Sequence, residues 1–143
     1  KESMSQEYKD YAQQVINNAN ALAESFIGEG LRVVSGGTSN HLVLVDTGSV
    51  DDELTGKEAS NLLNDMGITL NRNAIPFDTR SPFITSGIRM GTPCITTCGM
   101  KEEESTKVGY LISEALKHRD NQDQIKELQE EIRSLAKQFQ PYE

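Results

Sequence analysis

The chain has 143 residues and a formal net charge of −8 at neutral pH, enough for one compact domain and too few for two of ordinary size. Its acidic balance argues against a nucleic-acid or anionic-membrane binder, because counterion release needs a basic face. No apolar run long enough to span a bilayer occurs, and the chain opens on Lys1 with no apolar signal core behind it, which reads as an excised piece of something longer.

Ser3 followed three residues later by Gln6 resembles a capping box. Behind it Tyr8, Ala12, Val15, Ala19, Leu22 and Phe26 recur at alternating steps of four and three, one apolar stripe along a long helix that Gly28 and Gly30 stop. Leu31 to Val34 and Leu42 to Val45 read as short buried strands. The polar loop between them, Ser35 to Asn40, makes them an antiparallel hairpin. Thr55 with Glu58 forms a capping box for a second helix, whose inner face is Ala59, Leu62, Leu63 and Met66 and whose stop is Gly67. Ile68 to Leu70 is expected to be a strand. Residues 71 to 83, punctuated by Pro76 and Pro82, are expected to form a polar loop, and so long a loop in a compact domain is usually functional or disordered.

Gly87 to Thr92 predicts a further strand ending at Pro93. A third helix should begin near Lys101, with Glu102, Glu103 and Glu104 in the first turn where carboxylates suit the helix dipole. In a last helix after Asn121, Ile125, Leu128, Ile132, Leu135 and Phe139 form a heptad-like seam. Two heptads favour packing on the domain itself, or on the rest of the parent, over a coiled coil. The sum is an α+β domain: a small, mainly antiparallel sheet with helices mostly on one face.

Among residues that carry chemistry, Arg89 stands out. With a strand period of two, Ile88 and Met90 point one way, while Gly87, Arg89 and Gly91 point the other. Glycine within a strand often marks close approach by a ligand or another backbone, and an arginine there offers a bidentate fork to a carboxylate or phosphate. Spacing alone leaves open a structural ion pair with one of the 22 acidic residues. Asn71 and Asn73 can present donor and acceptor atoms to a heterocycle, although loop asparagines are more often turn formers.

Weaker signals take structural readings. Ser35 to Thr38 looks like a phosphate-cradling turn, but the following strand lacks the helix dipole that binds anions. His41 reads as a hydrogen-bonded structural residue without a triad partner, and Asp51, Asp52 and Glu53 as a solvated loop. Cys94 and Cys98, with His41 and His118 scattered, fall short of a structural zinc set and read as reduced cytosolic thiols, so no metal is expected. No lysine sits in an apolar segment that would suit it to Schiff-base chemistry.

Taken together, Val34 to Leu42 (VSGGTSNHL), Thr55-Gly56-Lys57, the loop Asn71 to Asp78, and Ser86-Gly87-Ile88-Arg89 with Gly91-Thr92-Pro93 resemble the final third of serine hydroxymethyltransferase, in the family's order and spacing. The match covers essentially the whole chain, residues 1–143, and the loop most resembles bacterial versions. The resemblance implies the small carboxy-terminal domain of a fold-type I enzyme that uses pyridoxal phosphate and interconverts serine and glycine with tetrahydrofolate. It implies that Arg89 binds the amino-acid carboxylate and that Asn73 belongs to the folate pocket. It also implies a cytoplasmic homo-oligomer. The large domain, absent from this chain, supplies the Schiff-base lysine, the ring-stacking histidine and the aspartate facing the pyridine nitrogen.

Two departures are visible: Ser39 stands where the family usually has aspartate, and Cys98 where it usually has arginine, which removes a cation near the site. The competing reading is a freestanding carboxylate- and folate-binding or assembly module without catalysis. A third reading is a purely structural domain that docks a partner.

Overall fold

The computed structural model describes residues 5–34 and 41–139, without the side chain of Cys94. Helix α1 spans Gln6–Gly28 and is capped by the Ser5 hydroxyl, which accepts from the Tyr8 amide. The expected capping residue Ser3 lies outside the described residues. Within the helix the stripe is buried from Val15 onward, through Ala19, Leu22 and Phe26, whereas Tyr8 is 49% exposed. Gly30 provides the stop at φ +90°, a conformation in which a Cβ would be strained.

Strand β1 (Arg32–Val33) pairs antiparallel with β2 (Leu42–Asp46), the expected hairpin. The connecting residues 35–40 lie outside the described residues, and with them the Ser35–Thr38 turn and Ser39. After a 3-10 turn over Thr47–Ser49, α2 runs from Gly56 to Asp65 with both halves of the Thr55/Glu58 capping box formed, and Gly67 at φ +97° ends it. Strand β3 is Asn71–Asn73 and β4 is Gly87–Gly91. A short helix α3 (Pro93–Thr97) precedes α4 (Glu102–Lys117) and α5 (Gln122–Gln138).

The four strands lie in the order β1-β2-β4-β3, every pair antiparallel. Val33, Val43, Val45, Ile88 and Met90 turn one face inward. They form a single core with Leu22 and Phe26 of α1, Ala59 and Leu63 of α2, and Leu111, Ile112 and Leu116 of α4. Leu128 and Leu135 of α5 are buried in the same core, with Ile125, Ile132 and Phe139 packed against it, so the heptad-like seam packs on its own domain. The α+β expectation holds.

Three local expectations fail. Ile68 to Leu70 is not a strand; Leu70 is buried in the core and the ladder starts one residue later, at Asn71. The polar Asn-Arg-Asn run makes the strand because β3 lies at the sheet edge, where backbone pairing to β4 needs no apolar side chains. Helix α3 fills a stretch for which no element was expected, and buried polar groups hold it to α1. The fully buried Asn18 donates to Thr96 Oγ1 at 2.8 Å and to the Met100 carbonyl at 3.0 Å, and Thr92 Oγ1 donates to the Val15 carbonyl at 2.7 Å. Finally, the His41 side chain is exposed; it is the residue's backbone carbonyl that accepts a bond, from the Thr92 amide.

Candidate functional site

The outward face of the sheet is built by register. Leu44, Arg89 and Asn71 lie directly opposite one another across β2, β4 and β3, and Asp46, Gly87 and Asn73 form the adjacent row. Residues opposite one another in an antiparallel pair share a face, so Arg89 and both asparagines stand together, away from the core that Ile88 and Met90 fill. Arg89 is exposed.

The carboxylate in the adjacent row of that face is already taken. Asp46 Oδ2 accepts from Arg32 Nη1 at 2.8 Å, and Oδ1 accepts from the Gly48 amide at 2.9 Å. Among the described residues Arg89 makes no ion pair and no side-chain hydrogen bond. The structural ion pair that the sequence left open therefore does not form with them.

The two flanking glycines do not leave a vacant groove. A Cβ at Gly87 would stand 2.7 Å from Ile75 Cγ2 and 3.1 Å from Leu44 Cδ1, besides 2.7 Å from the Asn73 carbonyl. Gly87 is thus required because the Asn73 carbonyl of the paired strand lies against it, with Ile75 reaching over from the loop after β3. At Gly91 the same space borders the His41 carbonyl, Leu42 and Pro93 at 3.3–3.4 Å. The close approach expected at these glycines comes from the chain itself.

Asn73 is half-buried, and its Nδ2 donates to the Ala74 carbonyl at 2.9 Å. The turn-forming habit of loop asparagines and a place beside Arg89's strand are therefore both present. Asn71 is exposed, directly across from Arg89.

The segment between β3 and β4 is ordered around a carboxylate the sequence did not single out. Asp78 Oδ2 accepts from the backbone amides of Ser86 (2.8 Å) and Ile75 (3.2 Å). Its Oδ1 accepts from the Arg80 amide (2.9 Å) and the Ser86 hydroxyl (2.7 Å). Arg80 completes the network: Nη1 donates to Ser86 Oγ and the Leu54 carbonyl, and Nη2 donates to the Asp52 carbonyl at 2.7 Å. Asp51 likewise accepts from Arg119 at 2.6 Å, so the acidic turn, though exposed, is tied down at two points. The available signal was an aspartate followed two residues later by arginine in a proline-bounded loop, a setting in which Asx-type bonding to nearby amides is common.

Two residues in this segment hold positive φ without being glycine: Phe77 at 61° and Thr85 at 60°. Each immediately precedes a member of the network, Asp78 or Ser86. Such conformations cost about 1–3 kcal/mol each and persist only where surrounding bonds over-determine them. Phe77 is fully exposed and Phe83 is 77% exposed. From the opposite side α2 presses on the same segment. The Gly56 amide donates to the Thr85 carbonyl at 3.0 Å, and a Cβ at Gly56 would lie 2.5 Å from the Gly87 carbonyl.

Burial acts to raise the Asp78 pKa, but the bonds from the Arg80 amide, the Ser86 hydroxyl and the Ile75 and Ser86 amides outweigh it and hold the group at about 2. A folded-state pKa below the ordinary carboxylate value stabilises the folded loop above that value, and the contribution is lost as pH falls. The segment 75–86 is therefore expected to loosen between about pH 4 and pH 2. Amide resonances of Ile75, Arg80 and Ser86 followed through an acid titration check this; a shared midpoint near the ordinary carboxylate value of about 4, in place of one near 2, would contradict it.

All seven lysines among the described residues are exposed, so none offers the buried amine that would hold an aldehyde cofactor. No group of three or more His, Cys, Asp or Glu among the described residues is placed to hold a metal ion. No helix there is long and apolar enough to cross a membrane. Residues 1–112 of the chain match the family model described as serine hydroxymethyltransferase.

Proposed function

Because the chain belongs to the serine hydroxymethyltransferase family, a family of transferases that uses pyridoxal phosphate and tetrahydrofolate, we propose that it is the carboxy-terminal domain of such an enzyme and supplies the substrate side of the site. In this reading Arg89 receives the α-carboxylate of serine or glycine, and Asn73 contributes an amide to the folate pocket. The observation that carries it is Arg89 itself: an exposed guanidinium in mid-strand, with its neighbouring carboxylate Asp46 engaged by Arg32. A planar fork of this kind binds both oxygens of a carboxylate and fixes its rotation.

The described lysines do not fit the cofactor's anchoring. We assign that role to a large domain of the same enzyme, which is the first expected partner of this chain, with a second copy of the assembled enzyme as another, in the cytoplasm. The chain by itself is then expected not to turn over serine, because the cofactor supplies the electron sink.

The reading is tested by Asn73→Ala in the complete enzyme. Loss of an amide from a heterocycle site whose partners stay buried removes about 1–3 kcal/mol, roughly 5- to 150-fold in folate affinity. Folate-independent turnover of an amino-acid substrate should change far less. Equal loss in both reactions would return Asn73 to a structural role.

A further inference from the structure

We propose that Asp78 is a positioning residue for the folate side of the site, acting through the two amides by which it staples the base of the 74–86 loop. The proposal rests on the folate assignment of Asn73 and extends it to a residue whose bonds go to its own loop, to Ile75, Arg80 and Ser86.

The geometry of the staple is specific. Ile75 lies two residues beyond Asn73, and Ser86 one residue before Gly87, which is Asn73's partner across the β3–β4 ladder. One oxygen of Asp78 holds both amides, at 3.2 and 2.8 Å. The carboxylate therefore closes the loop where Asn73 leaves the sheet and Ile75 folds over Gly87. Arg80 then fixes this closure to the Asp52 and Leu54 carbonyls on the turn before α2.

The strain is placed where a latch would be needed. Phe77 and Thr85, the two left-handed non-glycine residues among those described, immediately precede Asp78 and Ser86, the two side chains that close the network. Without the staple, both residues have a relaxed conformation to return to, and that return would release the Ile75 amide, two residues beyond Asn73, from the bond that now fixes it. Arg89 does not share this dependence. It sits at the centre of β4 with a paired strand on each side, so the ladder holds it whether or not the loop is closed. A break at Asp78 should accordingly divide the two substrates.

The test is Asp78→Asn in the complete enzyme. An asparagine keeps the shape, but its NH2 group cannot accept, so the four bonds cannot all be made. The expected result is a folate KM raised roughly ten- to a hundred-fold, the scale on which small misplacements act. Serine KM and folate-independent turnover should stay within about twofold of the parent. Amide exchange at Ile75 and Ser86 should accelerate in parallel. Ser86→Ala, which removes one hydroxyl and keeps the backbone, should shift the folate KM in the same direction by less, and it serves if Asp78→Asn folds poorly.

An unchanged folate KM, an equal fall in both reactions, or unchanged exchange at both amides would each overturn the proposal. The Asn73 reading fails separately. If Asn73→Ala is folate-neutral while Asp78→Asn remains folate-selective, the Asn73 assignment falls and the staple stands. If Asn73→Ala is selective and Asp78→Asn is not, only the staple falls.

Discussion

Replacing Arg89 with alanine in the complete enzyme is expected to lower kcat/KM for serine by roughly thirty-fold to a few thousand-fold. That range corresponds to the 2–5 kcal/mol lost when one partner of a desolvated, hydrogen-bonded charge pair is removed. The exposure of Arg89 in this chain matters to the size of the effect. The guanidinium is not spent on an internal partner among the described residues, so its pairing capacity is available to a ligand. Asp46 is held by Arg32 and the Gly48 amide, so it does not compete for the guanidinium.

Arg89→Lys should fall between parent and alanine. It keeps a charge but replaces a rigid fork with a point charge on a flexible stem, so it should raise KM and also slow turnover, because a carboxylate free to rotate leaves the reacting bond misaligned. Binding of pyridoxal phosphate should be largely retained in both variants. Steady-state kinetics for serine, with cofactor absorbance as control, check the set. An Arg89→Lys enzyme with parental affinity and turnover would show that the carboxylate is held elsewhere.

The second large effect concerns stability. Phe26 is fully buried on α1, within the core that also holds Leu22, Val33, Leu111 and Ile112. Truncating a core phenylalanine to alanine costs about 3–5 kcal/mol, the lost transfer energy plus the cavity left behind. Set against a total stability of about 5–15 kcal/mol, this is expected to shift the urea midpoint of the isolated chain strongly downward while leaving the slope unchanged. Tyr8 belongs to the same sequence stripe but is half exposed, and Tyr8→Ala should stay within about 0.5 kcal/mol. Equal effects at the two positions would mean that α1 is not seated as described.

That contrast shows how the stripe was legible and where it was not. Spacing at three and four residues located one face of α1, but it could not say how far along the helix the partner surface extends. Nor could it show that Asn18 lies in the buried part: an asparagine there is acceptable only because Thr96 and the Met100 carbonyl, some eighty residues away, satisfy its amide.

What the sequence determined by itself was everything governed by local periodicity and capping. The Thr55/Glu58 box, the stops at Gly30 and Gly67, the acidic start of α4, the inward seam of α5 and the alternation that turns Arg89 away from Ile88 and Met90 all depend on residues within a few positions of one another. The family motifs were legible for a related reason, since they are short strings in fixed order. What only the tertiary structure decided were the pairings between segments distant in the chain. A polar edge strand at Asn71–Asn73 exists because β4 offers it backbone partners, not because of its side chains. Gly87 is a glycine because the Asn73 carbonyl and Ile75 lie against it, Asp46 is taken by Arg32 across the hairpin, and Asp78 binds both ends of its own loop. Each of these follows from register and loop closure, which place residues by their partners in space; no spacing within a single segment encodes that choice.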